Sequence, residues 1–330
     1  MTKMRGILFV MVVQFSITEL YAQDPVFSHF YASGMQLNPA FSGAEGPGKV
    51  YIGYRNQWPN SGASYITYQA SYDQHIEKLH GGIGVRILND RQGGGAFNAY
   101  NLDVAYAYKF RASRRWSFSG AIQAGVGQRS FDPSTLLFGD MINPVTGGSS
   151  GAAPEDIIGY NEIYPDFALG VTAFRGNFYG GAAVHHLLRP VVTDSDDPTG
   201  TIYRKYTVHV GWLIPVIDKS RGFEIMKLSP NLVFIQQQNI HQINYGMDLI
   251  YRDFLVGVWT RHDIGFNYGN LVFTAGYGAG NLRFRYSYDV KLSSPTIRLP
   301  NMGAHEFSLV IMLENHVIRK NSSTINYPKI

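Results

Sequence analysis

Arg283-Phe284-Arg285-Tyr286-Ser287-Tyr288-Asp289-Val290 decides how this chain is read. Successive side chains of a strand point to opposite faces, so Phe284, Tyr286, Tyr288 and Val290 share one face while Arg283, Arg285, Ser287 and Asp289 share the other. The stretch 100–110 repeats the pattern: Tyr100, Leu102, Val104, Tyr106, Tyr108 and Phe110 oppose Asn101, Asp103, Ala105, Ala107 and Lys109. A soluble sandwich would turn the apolar face to a second sheet and the polar face to water. A membrane barrel turns the apolar face to lipid and lines its lumen with the polar one.

Working outward, similar runs predict strands near 50–58, 64–73, 81–89, 98–110, 116–129, 167–174, 178–185, 204–214, 225–237, 241–251, 254–260, 270–277, 282–290 and 305–314. The expected fold is all-β, an antiparallel transmembrane outer-membrane β-barrel of about 14 strands, an even number as bacterial single-chain barrels require. Connection lengths support it. Arg111 to Arg115, Arg175 to Asn177, Arg252-Asp253 and Gly278 to Asn281 read as tight periplasmic turns, with 74–80 and 215–222 somewhat longer. The connections between them, 130–166, 186–203, 261–269 and 291–304, read as surface loops, although 59–63 and the stretch near Gln238 are short.

Composition agrees with a barrel. The chain is 45% hydrophobic but only 16% charged, with 22 Tyr, 20 Phe, 36 Gly and no Cys, and no long apolar helix follows its first residues. Alternate residues cancel in such a sequence, so a lipid-facing surface hides behind a near-neutral mean hydropathy. The formal charge of +4 is modest, and the aromatic residues track strand alternation instead of basic runs, which argues against nucleic acid.

Residues 1–22 read as a signal peptide. Lys3 and Arg5 precede the apolar run Ile7 to Ile17, and Leu20-Tyr21-Ala22 gives a small-residue exit before Gln23. Residues 23–49 carry Pro25, Pro39 and Pro47 among several glycines, which excludes a regular strand or long helix. The segment is nevertheless aromatic, so it is expected to fold back as a lumen plug or a partner-docking element. A loosely packed leader covering the barrel base stays open as the other reading. The barrel then occupies 50–314, and 315–330 forms a periplasmic tail.

The mature start, Gln23-Asp24-Pro25-Val26-Phe27-Ser28-His29-Phe30-Tyr31 followed by Leu37-Asn38-Pro39-Ala40-Phe41-Ser42-Gly43, resembles the opening of the PorP/SprF family of type IX secretion membrane proteins. Tyr54-Arg55-Asn56-Gln57-Trp58 looks like that family's Tyr-Arg-x-Gln-Trp. Gly81-Gly82-Ile83-Gly84, Pro165-Asp166-Phe167 with Gly170, Tyr286 to Ser293, and Gly303-Ala304-His305-Glu306-Phe307-Ser308-Leu309 resemble further family segments in the right order. The resemblance implies a role in the Bacteroidetes type IX machinery, which also serves gliding motility, with secretion components or a large secreted surface adhesin as partner. It implies a component other than the translocation pore. A diffusion porin or uptake channel uses the same polar lumen and remains the alternative.

Candidate partner-binding or plug residues are Asp24, Pro25, Phe27, Tyr31, Asn38 and Pro39, together with Phe131, Leu136, Leu137 and Phe138 of the longest loop. Lumen candidates are Arg55, Gln57, Asp103, Arg283, Arg285, Asp289 and Glu306. Arg283, Arg285 and Asp289 would face Glu306 and Ser308 of the last strand in a charge ladder, in an interior with little apolar packing. No enzyme is expected, and no metal or other cofactor. His185 and His186 would point to opposite faces of a strand and could not chelate together, and the acidic run Asp194 to Asp197 lacks the spacing of a calcium loop. Gly93-Gly94-Gly95 lacks the strand-to-helix setting of a phosphate loop.

Overall fold

The computed structural model describes residues 24–46, 48–59, 64–136, 141, 159–192, 200–217, 226–265, 269–292 and 303–313. The wall is an antiparallel meander: β1 (Gly48–Gln57), β2 (Tyr65–Ile76), β3 (Gly81–Gln92), β4 (Phe97–Arg111), β5 (Ser117–Phe131), β6 (Tyr160–Arg175), β7 (Phe178–His185), β8 (Lys205–Trp212), β9 (Ile214–Ile217), β10 (Met226–Gln237), β11 (Ile240–Tyr251), β12 (Phe254–Asp263), β13 (Gly269–Ala279), β14 (Leu282–Lys291) and β15 (Ala304–Leu313). β1 pairs with β15, and β10 with β11, so the ring of strands closes. β8 and β9 both pair with β10 and form one stave broken at Leu213, which makes 14 staves. Pro215 and Pro230, with no N–H to donate, flank the break.

The expected strand order holds throughout, with one large boundary error. The sixth strand is expected from 167, yet β6 begins at Tyr160, so the connection from β5 spans 132–159. β6 pairs with β7 only from Leu169 onward, so Pro165 sits where β6 has a neighbour on one side alone. A proline is tolerated there.

The wall's outer face is a continuous apolar band. Ile87, Val104, Ile122, Val171, Val208, Val258 and Phe273 are each exposed while their inward neighbours in sequence are buried. A patch this extensive needs lipid as its solvent. Gly48 and Leu313 are register partners, so the barrel begins and ends at one rim. The 176–177, 252–253 and 280–281 turns lie at that rim, the base, and the longer loops at the opposite one. Short turns face the periplasm in outer-membrane barrels.

Residues 24–46 lie inside the wall. They are buried almost without break and include a short helix, α1 (Gly34–Leu37), and a 3-10 turn, Pro39–Phe41. The segment starts among loop-side residues and descends to the base, where His75 N donates to Gly46 O at 3.1 Å just before β1 begins. The 1–22 and 315–330 expectations lie outside the described residues.

Candidate functional site

Three tiers fix the lumen segment. In the middle tier, Phe30, Tyr31, Leu37, Phe41 and Ala44 pack against inward Phe174, Tyr179, Val233, Trp259 and Val272. Phe30 and Trp259 have ring centroids 5.7 Å apart, and Tyr31 meets Tyr179 edge-on at 5.3 Å. This corrects the expectation of an interior poor in apolar packing. The inward aromatics come from the very positions that alternation assigns to a polar lumen, so binary pattern alone could not place them.

Asn38 holds the same tier to three staves. Its side-chain amide donates to Val171 O at 3.0 Å and Ala182 O at 3.1 Å, and lies 3.2 Å from His209 Nε2. Its Oδ1 accepts from Ala40 N at 2.9 Å, which caps the turn opened by Pro39. The chain approaches β6 so closely that a Cβ on Gly170 would collide with Asn38 Oδ1 and Pro39. A Cβ on Gly82 would likewise strike Ser42 O. These two glycines of the wall are cut to the shape of the segment inside it.

The lower tier is polar. Gly43 N donates to Asp73 Oδ1 at 2.8 Å, Lys109 donates to Gly43 O, and Lys49 Nζ lies 3.1 Å from Glu45 Oε1 and 3.4 Å from Asp73 Oδ2. Arg283 reaches Glu45 at 3.5 Å.

Above the apolar tier, Glu306 is fully buried and receives two backbone donors, Ser28 N at 2.6 Å and His29 N at 2.9 Å. Arg55 bridges Glu306 at 3.1 Å and Asp289 at 2.7 Å. Arg261 adds a second guanidinium, 3.2 Å from Asp289 and 3.0 Å from Ser28 Oγ. The seam thus pairs differently from the expected ladder. Arg283 turns down to Glu45, Nε and Nη2 of Arg285 make no hydrogen bond among the described residues, and Arg55 of β1 and Arg261 of β12 neutralise the two carboxylates. Asp103 pairs with Arg86 at 2.6 Å, and Gln57 is half-buried on the inward side of β1.

At the loop-side mouth Asp24 is the hub. Its Oδ2 lies 2.7 Å from Lys205 Nζ and 2.8 Å from His186 Nε2, its Oδ1 lies 3.6 Å from Arg129, and its N–H donates to Gln237 at 3.1 Å. Asp166 approaches His186 Nδ1 at 2.8 Å from the other side. Burial works against charge at both ends of the pair, but the surrounding cations hold Asp24 well below the usual carboxylate range. Burial likewise disfavours the imidazolium of His186, and the Asp24 and Asp166 carboxylates overcome it and push the pKa up to about 9.

His186 was expected on the face opposite His185. It instead adopts φ +56° just beyond the end of β7, which turns its ring back inside, and both histidines are buried. Alternation stops where the strand stops. Among the described residues no group of three or more His, Cys, Asp or Glu could hold a metal ion.

The remaining candidates scatter. Pro25 O accepts from Gln36 at 2.9 Å, and Phe27 is buried in the segment. Phe131 lies at the loop-side end of β5, stacked on Phe97 at 4.4 Å, with half-buried Leu136 after the following turn. Leu137 and Phe138 lie outside the described residues, as does the acidic run 194–197. Ser28, His29, Arg261, His186 and Lys205 were missed as site residues. Each has a partner more than a hundred positions away in sequence, and only the register of the closed sheet reveals that.

Residues 19–311 match the family described as type IX secretion system membrane protein PorP/SprF. No curated protein sequence matches significantly. Similar solved structures include the Pseudomonas putida toluene transporter TodX (11% identity, 84% of this chain and 93% of that one, TM-score 0.46). The outer membrane protein Omp33 of Acinetobacter baumannii is another (9%, 82% and 100%, 0.43), and a FadL homologue of Pseudomonas aeruginosa a third (10%, 80% and 90%, 0.43). These likenesses are remote, and the barrel assignment rests on the strand ladder itself.

Proposed function

The chain belongs to the PorP/SprF family of type IX secretion system membrane proteins, and from that premise we propose a non-enzymatic outer-membrane barrel that supports secretion or surface anchoring of a cargo adhesin, or links the machinery to the outer membrane. The family match over residues 19–311 carries this reading. The occupied lumen supports it. Segment 24–46 is held by polar and apolar contacts from staves all around the ring, an arrangement suited to a rigid docking body and poorly suited to free diffusion of solutes. In this reading residues 1–22 are a signal peptide removed before Gln23, and the host is a gliding or secreting member of the Bacteroidetes.

The test is a pull-down of tagged protein from its native outer membrane in mild detergent, with mass spectrometry of what co-purifies. A giant adhesin or its C-terminal region identifies a cargo-dedicated barrel, and a periplasmic ring component identifies a machine part. Recovery of neither from membranes that contain both, together with a steady open conductance in planar bilayers, overturns the proposal in favour of a porin.

A further inference from the structure

We propose that Arg129, His186 and Lys205 form a carboxylate-receptor pocket at the loop-side mouth, that Asp24 fills it as a built-in stand-in, and that an acidic segment of a partner protein arriving from the loop side takes its place. The proposal deepens the proposed function and rests on it for the removal of residues 1–22, which makes Asp24 part of a chain end, and for the side from which the partner comes.

The pocket is assembled from separate staves around one carboxylate. Lys205 on β8 and His186 after β7 both engage Oδ2, while Arg129 on β5 faces Oδ1. The Asp166 carboxylate on β6 lies 2.8 Å from His186 Nδ1, on the side of the ring away from the pocket, and Nε2 is the nitrogen turned to the occupant. Two cations on one oxygen and a third on the other make the electrostatic complement of a single carboxylate.

The pocket also has donors that Asp24 leaves unused. Among the described residues Arg129 Nε is buried with no hydrogen-bond partner, and neither ring nitrogen of His185, a residue 2% exposed beside His186, has one, so whichever carries the N–H is a second unmet donor. Unmet buried donors in a cationic site are the mark of a site built for more acceptor oxygens than one side chain brings. Asp90, a further carboxylate nearby, is already engaged by Thr67 and Gln92, and Glu162, the register partner of Arg129, is exposed.

Asp24 is also the replaceable part of the segment. It stands at the segment's loop-side end, held by its side chain and a single N–H. Four residues further on, Ser28 and His29 are tied by backbone donors to fully buried Glu306. The end can therefore leave while the body stays docked. A carboxylate from a partner would keep every charge in the pocket paired, whereas an unfilled pocket would leave buried cations exposed to one another.

Two measurements on the full mature barrel in detergent test this. In Asp24→Ala, acetate at tens of millimolar is expected to raise the thermal midpoint saturably by several degrees, with no such rise in the wild type or in Asp24→Ala with Lys205→Met. Asp24→Asn serves if the alanine variant does not fold. An equal or larger rise with inorganic phosphate, or none with acetate, overturns the carboxylate assignment. The chain has no native Cys, so Val26→Cys reports on the segment's end. Hexaglutamate is expected to speed its maleimide labelling several-fold, and hexaglutamine to leave it unchanged. Labelling indifferent to both overturns exchange by a partner, whatever the pull-down returns.

Discussion

The wall and the segment it encloses are stabilised by opposite kinds of information. Each stave of the wall meets only its two neighbours, and its outer face asks nothing of a residue but that lipid accept it. The lumen segment has no ladder of its own. It is placed by Asn38, Glu306, Asp73, Lys205 and a set of ring contacts, each with its own specific partners. Error tolerance should differ accordingly: the wall should absorb most apolar exchanges on its outer face, while the interior should be intolerant at a few positions.

Glu306→Ala should produce the largest effect. It strips Ser28 N, His29 N and Arg55 of a shared acceptor in a fully buried place, and breaking such a cluster costs about 3–5 kcal/mol. Urea unfolding in lipid vesicles should show the loss, and proteolysis should show residues 24–30 released. If stability falls while those residues stay protected, wall and segment are coupled more tightly than the contacts imply. Val104→Arg is the converse. It places charge in the outer apolar band at a cost of about 2–4 kcal/mol if it lies near the bilayer midplane, and it should leave protection of the segment unchanged.

Asn38→Ala should cost less, about 1–3 kcal/mol, because it removes donors to two wall carbonyls and the cap on the 3-10 turn without stranding a charge. The readout that separates it from a general loss is local. Hydrogen exchange should accelerate at Ala40 to Ser42 more than in β6 or β7.

The same contrast explains what could be read from the sequence. Val290 on β14 and Phe110 on β4 declare their face through their immediate neighbours, so alternation placed the staves, and loop lengths placed the two rims. The early start of β6 was not legible, because the tolerance of Pro165 inside it depends on where β7 stops pairing, a fact of register. Inside the barrel the pattern gives the facing and not the partner. Arg55 was expected in the lumen and is there, but that it joins Asp289 to Glu306 across β15 follows only from ring closure. Trp259 sat in the inward register and belonged to an apolar tier that no period announces. His186 escaped because one left-handed residue reverses the direction that strand parity assigns.

The smallest expected effect is also the most local, and it lies where wall and segment meet at the mouth. His186 has its pKa raised from 6.5 to about 9, so its contribution is complete below about pH 6.5 and is lost as pH rises through 9. Asp24 is depressed, so its contribution is present above its ordinary value of 3.8 and is lost only as pH falls below that value. The clamp should therefore be complete between about pH 4 and 6.5, and loosen on the alkaline side first. Measured against the intrinsic exchange rate at each pH, protection at residues 24–27 should fall several-fold between pH 6.5 and 9.5, with that of Ser28 to Gly46 unchanged. His186→Gln should start looser and lose the alkaline step, because a neutral amide cannot titrate. An alkaline step that survives in His186→Gln would assign it to another group and break the link between the clamp and this residue. A step that spreads down to Asn38 would show that the segment leaves the wall as one body and not end first.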